Sequence, residues 1–382
     1  MVENEMNVEY RLNGPLSQER QRIRLMAALR ENRFPQSILI DGPVGIGKKA
    51  LAIELAKALQ CTDPNMRPCG QCFGCKMAAD AGVTDNWVVP MESKEAHARS
   101  DADASAGSSA KTVQDFKKAY IEEIFKNPYR VDIFGAGAEI SVDLVRSMTG
   151  AFALKGDRVR VVIIAEADRM NDSASNAFLK TLEEVPPDTY FILTTSSREK
   201  MLQTIRSRCL ALHLLPLTDT EVKEETVRLL GDDEVAAEDQ VTDDVVGLAV
   251  GSPGKALYYA AHGKEWCDLA VDFVNYSIAN KYYEIFERLE EADFEDAAEA
   301  NRFLEVLSFL LSDLLRSKSG AHLRIPETTG RVSLVSVNPI DATALDKALS
   351  LVQETMARVA SRRTLPMMLL QALSIKLFEG YK

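Results

Sequence analysis

Asp41-Gly42-Pro43-Val44-Gly45-Ile46-Gly47-Lys48-Lys49 follows the apolar run Ser37-Ile38-Leu39-Ile40 and precedes a helical pattern from Ala50 to Leu59. Gly42, Gly47 and Lys48 meet the spacing of a phosphate-binding loop, with Gly45 between them. The glycines let the backbone turn its N–H groups toward one centre, the helix N-terminus adds partial positive charge, and Lys48 can reach phosphate oxygens. The next residue should be Ser or Thr, whose hydroxyl holds Mg²⁺. Lys49 stands there instead, a cation with no lone pair for a metal. A nucleotide can still be accommodated by such a loop, but metal-assisted hydrolysis is in doubt.

A second metal ligand is missing further along. Val159-Arg-Val-Val-Ile-Ile-Ala165 reads as a buried central strand, apolar on both faces, and runs into Glu166-Ala167-Asp168. Nucleoside triphosphatases of this build place an Asp for Mg²⁺ at the strand end, then a Glu that orients water. Here the metal position is Ala165, and Glu166 keeps the place of the base. Two ligands lost from two motifs argue that the chain does not hydrolyse ATP. A solvated helix start accounts for Glu166 and Asp168 equally well.

Directly after the first helical pattern come Cys61 and then Cys69-Gly70-Gln71-Cys72-Phe73-Gly74-Cys75. Two overlapping C-x-x-C turns supply three thiolates and Cys61 a fourth, enough to close a tetrahedron around Zn²⁺. Four protein ligands leave no open position, so the expected metal is structural. Iron–sulfur ligation fits the donor type, but nothing else suggests redox work.

The 382 residues exceed one ordinary core, so two or three domains are expected. No apolar run approaches the ~18 residues that span a bilayer, and Met1 to Asn13 is too acidic and broken for a secretory signal. The reading is a cytoplasmic protein with no membrane partner. A net charge of −12 excludes coating nucleic acid by bulk electrostatics.

In chain order, Glu19 to Arg30 has the pattern of a surface helix. The stretch 92–114 is read as a flexible insertion, poorest in apolar residues around Ser100. Phe116 to Phe125 is an expected helix, Ser141 caps another, and Asp172 or Ser173 caps a third that Pro186-Pro187 ends. Thr189 to Thr195 is the next strand, its last threonines placed where a γ-phosphate sensor would sit, although Thr also favours strand ends. Arg206-Ser207-Arg208-Cys209 then offers two arginines suited to reaching a phosphate across a subunit boundary, or to a solvated face. Two short helical patterns lie within Leu217 to Leu257. Helices follow near 268–292, 297–317, 342–362 and 365–378, an assembly module in its simplest reading.

On the degenerate loop, the four cysteines, the run Ala174-Ser-Asn-Ala-Phe-Leu-Lys-Thr-Leu-Glu-Glu184 and Thr204-Ile-Arg-Ser-Arg-Cys209, the chain resembles the delta-prime family of DNA polymerase III clamp-loader subunits, within the AAA+ superfamily. The resemblance covers most of the chain. It implies an α/β fold: an AAA+ ATPase-like parallel-sheet domain over 1–215 with a zinc module at about 60–78, a helical lid over 216–262 and an all-α collar over 263–382. By the same resemblance Cys61, Cys69, Cys72 and Cys75 match the zinc ligands, Gly42, Gly45, Gly47 and Lys48 the remnant nucleotide loop, and Arg208 a trans arginine finger. Lys255 lies near the place of a second basic sensor. The implied partners are the gamma/tau and delta subunits, with the sliding clamp and primer-template DNA met through the assembled complex. The implied role is a non-hydrolysing stator in replication. Two alternatives stay open here: an ATP-hydrolysing motor subunit or other AAA+ ATPase, and a zinc-bearing interaction module whose arginines never meet a nucleotide.

Overall fold

The structure is a computed structural model that describes all residues except 1–8, 13, 16–17, 32, 97–111, 136, 151–157, 232–238, 293, 295–296, 334–339, 361–364 and 380–382. The chain divides into two compact units, 1–217 with 252–254, and 218–251 with 255–382.

The first unit is built on a five-stranded sheet. Its strands are β2 (Ser37–Asp41), β4 (Trp87–Val88), β5 (Arg160–Ile164), β6 (Thr189–Thr195) and β7 (Leu210–His213), in the order β4-β5-β6-β2-β7 and all parallel. A parallel sheet is covered on both faces, which is why its central strands read as unbroken apolar runs. Ile38 aligns with Ile192 and Ile163 with Ile192, so β2, β5 and β6 stack Val, Ile and Leu across the middle of the sheet. A separate two-stranded pair joins β1 (Glu9–Tyr10) to β3 (Met66–Arg67).

Among the described residues this unit also holds eight α-helices: α1 (Glu19–Arg30), α2 (Lys48–Gln60), α3 (Phe73–Ala78), α4 (Ser93–Ala96), α5 (Val113–Lys126), α6 (Val142–Gly150), α7 (Asp172–Glu183) and α8 (Gln203–Arg206). α2 buries Leu51, Ile53, Leu55 and several alanines. On α7, Phe178 meets Phe191 of β6 edge to face at 5.3 Å, within a core that includes Leu39, Val162, Ile164 and Leu193. The cap of α7 is Asn171, whose side chain accepts from the Ala174 N–H, one residue earlier than the sequence suggested. Of the stretch 92–114, the part around Ser100 lies outside the described residues. Its flanks are ordered: Ser93–Ala96 is helical, and Thr112 with Asp115 forms a capping box that starts α5 three residues before Phe116.

The second unit is helical throughout its described residues. It holds α9 (Asp219–Leu230), α10 (Asp243–Ala249), α11 (Pro253–Ala279, from Lys255 onward), α12 (Tyr282–Glu291), α13 (Ala297–Ser317), α14 (Pro326–Gly330), α15 (Ala342–Ala360) and α16 (Pro366–Lys376). α13 packs on α15, with Phe303, Leu307, Leu311, Leu345, Ala348 and Val352 in the buried seam. The helix expected over 268–292 is two helices. Asn280 adopts φ 56°, a left-handed turn that Asn tolerates better than most residues, and there α11 ends and α12 begins. α11 runs unbroken across residue 262. No helix among the described residues is long and apolar enough to cross a membrane.

Candidate functional site

The loop 42–47 joins the end of β2 to the first turn of α2, the expected strand–loop–helix setting. Gly45 (φ +76°) and Gly47 (φ +98°) hold left-handed backbone, and both are crowded. A Cβ on Gly45 would lie 2.6 Å from Ser252 Oγ, and one on Gly47 would lie 2.8 Å from a ring carbon of Tyr129. Only glycine meets both demands. Ser252 Oγ donates to the Val44 carbonyl (2.7 Å), and the Gly254 N–H donates to the Gly45 carbonyl (2.9 Å). Gly42 closes the loop's other end, its N–H on the Thr195 carbonyl at 3.3 Å.

The lysine of the loop is turned inward. Lys48 is 8% exposed, and its Nζ donates to the carbonyls of Gly42 (2.8 Å) and Pro43 (2.6 Å). Burial, reinforced by the charge of Lys49, brings its pKa down to about 8. Lys49 Nζ donates to the Arg130 carbonyl (3.2 Å), lies 5.7 Å from the centre of the Phe134 ring and stands 3.8 Å from Glu166 Oε1. Burial lowers this lysine as well, with Glu166 opposing. The other Glu166 oxygen is held by Arg169 Nε at 2.7 Å. The Glu166 carboxylate is therefore held between two cations.

The two terminal threonines of β6 are engaged locally. Thr194 Oγ1 accepts from the Glu166 N–H (3.1 Å), and Thr195 Oγ1 donates to Asp168 (2.6 Å). Between them and the loop lies a small cavity of about 20 Å³ lined by Gly45, Gly47, Lys48, Lys49, Tyr129 and Glu166 among others. That holds about one water. Tyr129, 3% exposed, is one of its lining residues and crowds Gly47, and nothing in its sequence context marks it for that place.

Arg208 lies at the surface, half-exposed, its guanidinium on Glu183 (2.9 Å) and the Thr204 carbonyl (3.1 Å). Arg206 is turned differently, its Nε buried without a hydrogen-bond partner. The two arginines thus have different surroundings. Lys255, in the second unit, is ion-paired with Glu305.

The four cysteines converge. Their sulfurs all lie within 4.8 Å of one another, with Cys61 to Cys72 at 3.8 Å and Cys69 to Cys75 at 4.0 Å. A tetrahedron with Zn–S bonds of about 2.3 Å has edges of about 3.8 Å. Backbone N–H groups of Cys69, Cys72 and Cys75 point at the sulfurs of Cys61 (3.4 Å), Cys69 (3.3 Å) and Cys72 (3.4 Å), donors that suit thiolates. Burial pushes the Cys61 and Cys75 thiols up. It acts on Cys72 too, but the N–H groups of Cys75 and Thr62 outweigh it and bring that thiol down to about 6. Donor type, number and spacing fit one Zn²⁺. Cys209 and Cys267 are buried singly, each raised to about 11 by burial.

Comparison with known proteins places this architecture. The chain is 27% identical over 305 residues to DNA polymerase III subunit delta′ of Escherichia coli, a match covering 78% of this chain and 75% of that one. It is 30% identical over 216 residues to the Pseudomonas aeruginosa delta′ subunit, covering 56% and 52%. With subunit tau/gamma of Haemophilus influenzae it shares 27% identity over 229 residues, 60% of this chain and only 27% of that relative's length. Among solved structures, a gamma subunit-related protein from Thermotoga maritima aligns over 96% of this chain and all of that one, at 15% identity and a TM-score of 0.47. The sequence model of one family, DNA polymerase III, delta subunit, matches residues 17–218, more than half of the 382, and the chain belongs to that family.

Proposed function

We propose that the chain is a delta-prime-like subunit of the DNA polymerase III clamp loader that does not hydrolyse ATP. It acts as the stator beside gamma/tau and delta subunits while the assembled complex places the sliding clamp on primer-template DNA. The observation that carries this reading is how the residues of the phosphate loop are engaged. Lys48 is spent on the loop's own carbonyls, Lys49 replaces the metal-binding hydroxyl, Ala165 replaces the metal-binding Asp, and the remaining space holds about one water. A chain built this way contributes by position and charge rather than by turnover.

Arg208 is its reactive contribution in this reading. A half-exposed guanidinium held by one carboxylate and one carbonyl can leave both for the charge that develops on a neighbour's ATP. The helical unit offers the means of assembly: α16 is apolar nearly all round, and Leu365, Met368 and Ile375 remain exposed on or beside it. Zn²⁺ on Cys61, Cys69, Cys72 and Cys75 would supply folding energy to a segment with little core of its own.

The test is ATP turnover by a loader reconstituted with Arg208→Ala. A fall of tenfold or more, with assembly intact by gel filtration, is expected. An unchanged rate would remove the finger assignment.

A further inference from the structure

We infer that the first unit carries a docking site for an acidic peptide, in a bowl between the cysteine module and the start of β5. The bowl encloses about 750 Å³, within the range of sites that seat a ligand or a peptide side chain. Leu59, Phe73 and Met77 give it apolar walls, and Arg67, Arg158 and Arg160 stand around it. It lies at the C-terminal end of α2, some 20 Å along the helix from the phosphate loop. The site is therefore separate from the nucleotide cradle and does not rest on the clamp-loader reading.

Three features select the occupant. Phe73 is 59% exposed although it sits on the short helix fixed by Cys72 and Cys75, and the Arg158 guanidinium covers one part of its ring at 4.4 Å. A large aromatic left open beside a planar cation can receive an apolar side chain and an acid together. Arg67 is held in place through its Nε on the Asp63 carbonyl (2.8 Å), so its charge is oriented before any ligand arrives. No Asp or Glu is among the described residues that line it, in a chain whose net charge is −12. A mouth surrounded by three guanidinium groups attracts an acidic partner, since guanidinium forks match carboxylates two bonds at a time.

Single-stranded nucleic acid is the rival anion. It needs a basic track several nucleotides long, whereas these arginines surround one concavity. The cysteine module forms one wall through Cys61 and Gly74, which gives the metal a purpose beyond local folding: it holds Phe73 and Met77 at the mouth.

The experiment is fluorescence anisotropy on the full zinc-loaded chain with three fluorescein-labelled probes. One is a nonapeptide with leucine flanked on each side by four aspartates, the second has asparagine for every aspartate, and the third is a dodecamer of thymidylate. The acidic peptide is expected to bind with a micromolar Kd and the asparagine peptide at least tenfold more weakly. Arg158→Glu and Phe73→Ala, each with unchanged zinc content and melting temperature, are each expected to weaken the acidic peptide at least tenfold. Equal binding of the two peptides, no binding up to 1 mM, or indifference to both substitutions would overturn the proposal. Tighter binding of the oligonucleotide, lost in Arg158→Glu, would overturn it in favour of nucleic acid.

Discussion

Lys49 stands 3.8 Å from Glu166, its ammonium in the place where an active phosphate loop keeps a metal-binding hydroxyl. In the non-hydrolysing reading proposed above, this contact sets a cation against the carboxylate that an active enzyme would use to orient water. The purified chain is therefore expected to show no MgATP turnover and no calorimetric ATP binding. Lys49→Thr with Ala165→Asp should leave both unchanged, because Tyr129 still crowds the loop at Gly47. Adding Tyr129→Gly to that pair should open the space and bring ATP binding below about 1 mM. Turnover by the natural chain that Lys48→Ala abolishes would show that the missing ligands do not matter.

Cys75 is buried beside Cys69, and the segment from Cys61 to Ala78 has few other buried side chains. Its order should depend on the metal. Cys75→Ser is expected to take zinc content from one per chain to none and to remove hydrogen-exchange protection between residues 61 and 78. The β5 and β6 amides should stay protected, since their core is elsewhere. Retained protection in the zinc-free variant would mean that packing alone folds the module.

These two sites were the most legible parts of the sequence, because each is a local pattern: glycine and lysine spacing for the loop, cysteine spacing for the metal. The central strands were legible for the same reason, being continuous apolar runs. What escaped was short or assembled from a distance. β4 is two residues long, and β7 exposes Leu210, Ala211 and His213 and buries only Leu212, which no buried-strand pattern fits. Tyr129 reaches Gly47 from more than 80 positions away, so its crowding of the loop could not be read from the loop itself. Asn280 ends a helix whose apolar pattern continues past it.

Two buried aspartates of the helical unit belong to the same hidden class. Asp244 accepts the N–H groups of Glu327 (3.0 Å) and Thr328 (2.7 Å) and the Thr328 hydroxyl, while Asp313 accepts those of Arg324 and Ile325, both at 2.7 Å. Together they pin the turn into α14. Asp244→Ala strands these buried donors and should cost about 2–4 kcal/mol by urea denaturation. A loss under about 0.5 kcal/mol would mean that the turn rearranges to find other acceptors.

Lys117 gives the clearest pH signature. It is 7% exposed on α5, and burial, opposed by Asp85, brings its pKa down to about 8 from 10.5. Between those two values the unfolded chain binds the proton and the folded chain does not, so stability rises as pH climbs from about 8 to 10.5. Below pH 8 both states are protonated, and the full penalty for burying the ammonium is present. Lys117→Met, of similar shape and without charge, should therefore be more stable than the natural chain at pH 7.5, on the order of 2–3 kcal/mol. The advantage should shrink steadily above pH 8 and vanish near 10.5. Lys48, also about 8, contributes its own rise to both proteins and cancels in the comparison. A difference between the two that stays constant from pH 7.5 to 10.5 would mean that Lys117 keeps its ordinary pKa, with Asp85 compensating the burial in full.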